Sequence, residues 1–213
     1  MLRQVIFGSF LALFASSIAA FSLDRRAFVR DVALTTAAVA TGVTVSAPLP
    51  AFAVPVTGAK APFFELPNSR GSGSTSLKNL INSGKWTVLY FYPGAFSKGC
   101  TLEARGFQRD IERYRALNAQ IVGVSVDPVE KNAQFCSAEG LDFYMLSDTG
   151  GRVSNLYGSA LSVPGFGMFS NRQTYIIDPE GNLRWVFTDV ESRIARHSVE
   201  VLEKLNELET VKA

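Results

Sequence analysis

Residues 86–107 read WTVLYFYPGAFSKGCTLEARGF. The first seven form a continuous apolar run, rich in aromatic and β-branched side chains and closed by Pro93-Gly94, which is the pattern of a strand buried on both faces. Past Pro93 the period changes. Leu102, Phe107, Ile111, Tyr114 and Leu117 recur at helical spacing with Glu and Arg between them, so a single helix is expected from near Ser97 to about Leu117. The same alternation continues downstream. Residues 120–126 (QIVGVSV) read as the next buried strand, 129–139 as a helix ended by Gly140, 143–146 as a short strand, and 152–157 as a short helix stopped by Gly158. Residues 174–177 and 183–187 are expected strands, joined by Asp178-Pro179-Glu180-Gly181-Asn182, the turn chemistry of an antiparallel hairpin. A terminal helix is expected over 194–208. Upstream lie a short edge strand at 63–66, a Gly/Ser-rich loop at 69–75, and a short helix capped by Ser76 and running through Ile81. Strands alternating with helices and then a hairpin describe an α/β domain with a mixed sheet covered on both faces.

The chain has 213 residues, 47% of them hydrophobic, enough for one globular domain and a sizeable extension. Lys and Arg number 21 against 19 Asp and Glu, and the residues after 53 hold 17 of each. A neutral domain without a basic cluster gives no reason to expect a nucleic-acid partner. With two cysteines, Cys100 and Cys136, and one histidine, His197, a zinc site built from Cys and His is nearly excluded by inventory. His197 falls in the expected terminal helix and reads as a surface residue rather than a base.

The first 53 residues read as addresses. Residues 1–20 carry Arg3, an apolar run and a small-residue ending, Ser-Ser-Ile-Ala-Ala, as in a secretory signal peptide. Residues 21–53 follow with Asp24-Arg25-Arg26, a weakly apolar stretch and Ala51-Phe52-Ala53, as in a twin-arginine signal with its cleavage site. The other reading of residues 32–45 is a membrane anchor, but a span needs about 20 apolar residues, and Pro48 and Pro50 interrupt the run. Two signals in series resemble the targeting of a thylakoid-lumen protein in an alga with a secondary plastid, and a bacterial periplasmic protein is the alternative. The mature domain is expected to be residues 54–213.

Cys100 falls in the first turn of the helix that follows the central strand. Unpaired amides and the helix dipole there favour thiolate, the reactive form, and Gly99 lets backbone approach closely. Alone, this equally describes an inert buried cysteine.

The motif Pro-x-x-x-Thr/Ser-x-x-Cys, here Pro93, Ser97 and Cys100, resembles that of the peroxiredoxins. Phe-Tyr-Pro at 91–93, Gly-Cys-Thr at 99–101, Leu-Ser-Asp at 146–148 and Arg-x-Thr-Tyr at 172–175 are similar, in this order, to the peroxiredoxin Q or bacterioferritin comigratory protein branch. The resemblance spans about residues 59–208. It implies a thioredoxin-like fold, with a central mixed sheet flanked by helices on both faces, and a peroxidase acting on hydrogen peroxide or small alkyl hydroperoxides without metal or organic cofactor. By the same resemblance Cys100 is the peroxidatic cysteine, Pro93 shields it, Ser97 binds the peroxide, Arg172 is the active-site arginine and Glu103 orients that arginine. Many relatives place a resolving cysteine five residues on, where this chain has Arg105. Others place it about 35 residues downstream, which points to Cys136; resolution by an external thiol stays open. A thioredoxin-like reductant and a monomeric state are likewise implied. A thiol-disulfide oxidoreductase of the same fold is disfavoured, because no Cys-x-x-Cys pair is present.

Overall fold

The computed structural model describes residues 54–71 and 73–212; both expected export signals lie outside the described residues. Two short strands, β1 (Glu65–Pro67) and β2 (Ser74–Ser76), pair antiparallel and lead into α1 (Leu77–Asn82). Ser76 caps that helix: its hydroxyl accepts from the Asn79 N–H, while the Asn79 carbonyl oxygen accepts from the Ser76 N–H. Then follow β3 (Trp86–Phe91), α2 (Lys98–Arg109), α3 (Ile111–Ala116), β4 (Ala119–Ser125), α4 (Val129–Glu139), β5 (Tyr144–Ser147) and α5 (Arg152–Leu156). The chain ends with a hairpin, β6 (Ala160–Val163) and β7 (Gly167–Ser170), then β8 (Gln173–Ile177), β9 (Leu183–Phe187), a 3-10 turn (Glu191–Arg193) and α6 (His197–Lys212).

The five-stranded sheet has the order β5-β4-β3-β8-β9, with β3, β4 and β5 parallel and β8 and β9 antiparallel to their neighbours. This is the mixed sheet expected from the sequence, with the WTVLYF run at its centre and every residue of that run buried. Alternate side chains feed two separate cores. Val88, Tyr90 and Tyr92 pack with Phe107 of α2, Tyr114 of α3, Phe135 of α4 and Val201 and Leu205 of α6. Leu89 and Phe91 pack on the other face with Leu77 and Leu80 of α1 and Val153 of α5. Burying side chains of this size stabilises the fold by roughly 1.5–3 kcal/mol each.

Two expectations need correction, and one region takes structure that the sequence did not mark. The helix from Ser97 to Leu117 is two helices, broken at Asp110, whose carboxylate accepts from Ser198 Oγ at 2.8 Å and whose backbone leaves helical geometry at φ −96°, ψ 10°. The terminal helix begins at His197, after the 3-10 turn, rather than at 194. Residues 160–170, to which the sequence pattern assigns no element, form the β6–β7 hairpin, with Phe166 at its tip 80% exposed. The region 129–139 and its left-handed Gly140 terminator (φ +59°) stand as expected. Among the described residues no helix is long and apolar enough to cross a membrane, and no cluster of His, Cys, Asp and Glu is arranged to hold a metal ion.

Candidate active site

The site grows from the loop that carries the chain out of β3 at the carboxyl edge of its parallel strands. Pro93 is half-buried at the start of the loop. Asp127, which follows β4, accepts the Ala95 N–H at 2.6 Å and holds the loop against the next strand connection. Phe96 then takes a left-handed conformation, φ +68°, unusual for a side chain of its size. Its ring packs edge-on against Phe135 of α4, with centroids 5.3 Å apart. Ser97 closes the loop as the N-cap of α2, its hydroxyl oxygen accepting from the Cys100 N–H at 3.3 Å.

This cap places Cys100 in the first turn of α2, 1% exposed. The expected arginine reaches it from β8: Arg172 lies just before the strand, is 4% exposed, and donates from Nη2 to Cys100 Sγ at 3.2 Å. Its two other donor nitrogens meet carboxylates, Nη1 on Glu103 Oε2 and Nε on Glu191 Oε2, each at 2.6 Å. Burial disfavours the guanidinium charge, but the Glu103 carboxylate and then the Cys100 sulfur outweigh it and hold the Arg172 pKa above its ordinary value. Glu103 is itself 1% exposed, and burial raises its pKa to about 7 against the pull of Arg172. Gly99 leaves room for this contact. A Cβ at that position would stand 2.7 Å from Arg172 Nη2 and 3.3 Å from Ile194 Cδ1.

Cys136 lies on α4 and belongs to the same core as Cys100; both are free thiols. Its Sγ is 3.3 Å from Ser69 Oγ, and burial raises its pKa, with the Ser69 hydrogen bond acting in the opposite sense. Arg105 on α2 forms an ion pair with Glu139 at the end of α4.

His197 corrects the surface reading. It is 1% exposed, its Nε2 is 2.8 Å from Thr174 Oγ1 two residues beyond Arg172, and the rings of Phe107 and Phe187 meet it edge-on. Burial, then the charges of Arg193 and Arg172, lowers its pKa to about 4. Sequence reasoning gave no hint of Asp127 or Glu191, since each acts on a partner at least 19 residues away and neither belongs to a motif.

A buried cysteine at a helix N-terminus, hydrogen-bonded by a buried arginine at the carboxyl edge of a mixed sheet, defines a thiol-nucleophile site on a thioredoxin-like fold. Comparison with known proteins agrees. Residues 57–186 match the model of the AhpC/TSA family. A relative named putative peroxiredoxin bcp, from Helicobacter pylori (strain J99 / ATCC 700824), is 37% identical over 151 residues, covering 70% of this chain and 96% of the relative. A chloroplastic peroxiredoxin Q of Triticum aestivum is 31% identical, covering 71% and 67%. The crystal structure of peroxidoxin BcpB from Mycobacterium tuberculosis superposes with a TM-score of 0.66 at 32% identity, covering 71% of this chain and 96% of that one. The chain belongs to the AhpC/TSA family, on its peroxiredoxin Q/Bcp branch, and is a thiol-dependent peroxidase.

Proposed function

We propose that Cys100 is the peroxidatic nucleophile, acting on hydrogen peroxide or small organic hydroperoxides. The observation that carries this is the 3.2 Å hydrogen bond from Arg172 Nη2 to Cys100 Sγ at the capped start of α2. The thiolate attacks the terminal hydroperoxide oxygen: an S–O bond forms, the O–O bond breaks, and the sulfur becomes sulfenic acid. The leaving hydroxide or alkoxide is neutralised by a proton from solvent, equivalent to the one that the Cys100 thiol released on ionising. Arg172 supplies a fixed positive charge where negative charge moves from sulfur to the departing oxygen. The Ser97 oxygen is occupied by the Cys100 N–H, and its hydroxyl proton is the part available to a bound peroxide. Pro93 bounds the loop and limits the approach of water.

Cys136 is the resolving thiol in this reading. Once deprotonated, it attacks the sulfenic sulfur, a disulfide forms, and hydroxide leaves to become water. A thioredoxin-like dithiol then reduces the disulfide. Its position on α4, 36 residues on and in the same core, supports the assignment, and the bond forms when local unwinding around both cysteines brings their α-carbons within about 7 Å. One equivalent of peroxide followed by non-reducing mass spectrometry is expected to give a 100–136 bond. A persistent sulfenic acid without that bond would remove Cys136 from the cycle.

Rapid mixing of peroxide with the reduced protein and with Cys100→Ser tests the core of the proposal. The variant is expected to lose more than about 10³-fold in rate, and equal rates would overturn the assignment. The double export signal and the chloroplastic name of the wheat relative support delivery of residues 54–213 to a plastid lumen. A mature N-terminus well upstream of Val54, determined by mass spectrometry on the native protein, would refute it.

A further inference from the structure

We propose that Glu191 is a positioning residue for the peroxide reaction, fixing the plane of the Arg172 guanidinium so that Nη2 stays aimed at Cys100 Sγ. The inference rests on Cys100 being the nucleophile. A guanidinium held at one nitrogen can pivot about that hydrogen bond, whereas two carboxylates on different nitrogens define its plane. Glu103 holds Nη1 from within α2, and Glu191 holds Nε from the 3-10 turn between β9 and α6. The remaining donor, Nη2, then meets the sulfur.

The turn is built to hold that carboxylate in place. Val190, 1% exposed, anchors it, the Arg193 N–H donates to the Val190 carbonyl at 2.9 Å, and the Arg193 side chain donates to the Asp189 carbonyl. Ile194, just beyond, lies over Gly99 together with Arg172 Nη2, so this connection covers the turn of α2 that carries the nucleophile. The Glu191 side chain is 73% exposed against 4% for Arg172, and without Glu191 the guanidinium keeps the buried Glu103 carboxylate, so the cost to folding stability is expected to be small. Its effect therefore falls on aim.

Glu191→Ala and Glu191→Gln separate aim from charge and from folding. Each is assayed for the second-order rate with hydrogen peroxide, the rate of Cys100 alkylation by iodoacetamide, and melting temperature. Alkylation reports the same sulfur without the in-line geometry of peroxide attack. Glu191→Ala is expected to slow peroxide reduction about tenfold, with alkylation unchanged or faster and no more than a small change in melting temperature. Glu191→Gln keeps an oxygen that accepts from Nε and is expected to stay within about threefold of the wild type, the scale of one modest hydrogen bond. A Glu191→Ala peroxide rate equal to the wild type, a parallel fall in both rates, or a Gln variant as slow as the Ala variant would each overturn the proposal. Failure of the underlying reading shows elsewhere, as a Cys100→Ser protein that still consumes peroxide at the wild-type rate.

Discussion

At the scale of single residues, the charge of Arg172 acts on Cys100 only because Gly99 lets the two approach closely. Gly99 separates two effects that are usually entangled. Replacing it with Ala adds a methyl group 2.7 Å from Arg172 Nη2 and must push the guanidinium away from the sulfur. In a helix Ala is intrinsically favoured over Gly by about 1 kcal/mol. Gly99→Ala is thus expected to lose about 10- to 100-fold in peroxide rate while its urea midpoint changes little; a normal rate in stopped-flow assays would show that the arginine can move without consequence. Pro93, Ser97 and Cys100 sit within eight residues of one another, in the loop where strand periodicity gives way to helical periodicity, so their place was legible locally, whereas their roles came from family resemblance. Arg172 was legible only through family resemblance, because no local pattern ties it to a cysteine 72 residues earlier. His197 was misread for a physical reason: its neighbours Arg196 and Ser198 are polar, and its burial comes from Thr174, Phe107 and Phe187 on other elements.

At the scale of elements, the strands and helices with apolar periodicity were readable, and the departures lie where tertiary contacts decide. Asp110 fits the solvated face of a helix on paper, yet it is 6% exposed, its carboxylate held by Arg109 and by Ser198, 88 residues away, and the helix breaks there. The β6–β7 hairpin leaves Leu161, Phe166 and Met168 exposed, so it lacks the inward alternation that marks a strand. Between α2 and α4 the contacts bear on resolution. Arg105 pairs with Glu139, and Gln108 joins Asp142, donating from Nε2 at 3.2 Å and accepting the Asp142 N–H at 2.8 Å. Both ties hold the C-terminal end of α4, the stretch that carries Cys136, the proposed resolving thiol. A pair with its arginine 66% exposed contributes on the order of 1 kcal/mol, so Arg105→Ala is expected to speed disulfide formation about two- to fivefold. The rate of thiol loss after acid quench, measured following one equivalent of peroxide, checks this, and an unchanged or slower rate would place the barrier elsewhere.

At the scale of the whole molecule, two buried titrating groups near Arg172 act on stability in opposite directions. His197 titrates near 6.5 when unfolded and near 4 when folded, so between those values the unfolded chain binds a proton that the folded chain refuses. The stability linked to neutral His197 is present above about pH 6.5 and is lost as pH falls through 4, a contribution on the order of 3 kcal/mol. Glu103 is the reverse. Its folded pKa, near 7, lies above the unfolded 4.5, so the stability linked to its protonated form is present below 4.5 and is lost as pH rises through 7. Urea unfolding across pH 4 to 8 separates them. His197→Gln, which can still hydrogen-bond Thr174, is expected to lower stability at pH 7 and to flatten the loss on the acid side. Glu103→Gln is expected to flatten the loss on approaching neutrality, whatever it does to the rate. If the acid limb of the wild type persists in His197→Gln, the buried imidazole is not the group that sets it, and Asp110, whose folded pKa is lowered chiefly by its Arg109 hydrogen bond, becomes the carboxylate that acid must neutralise.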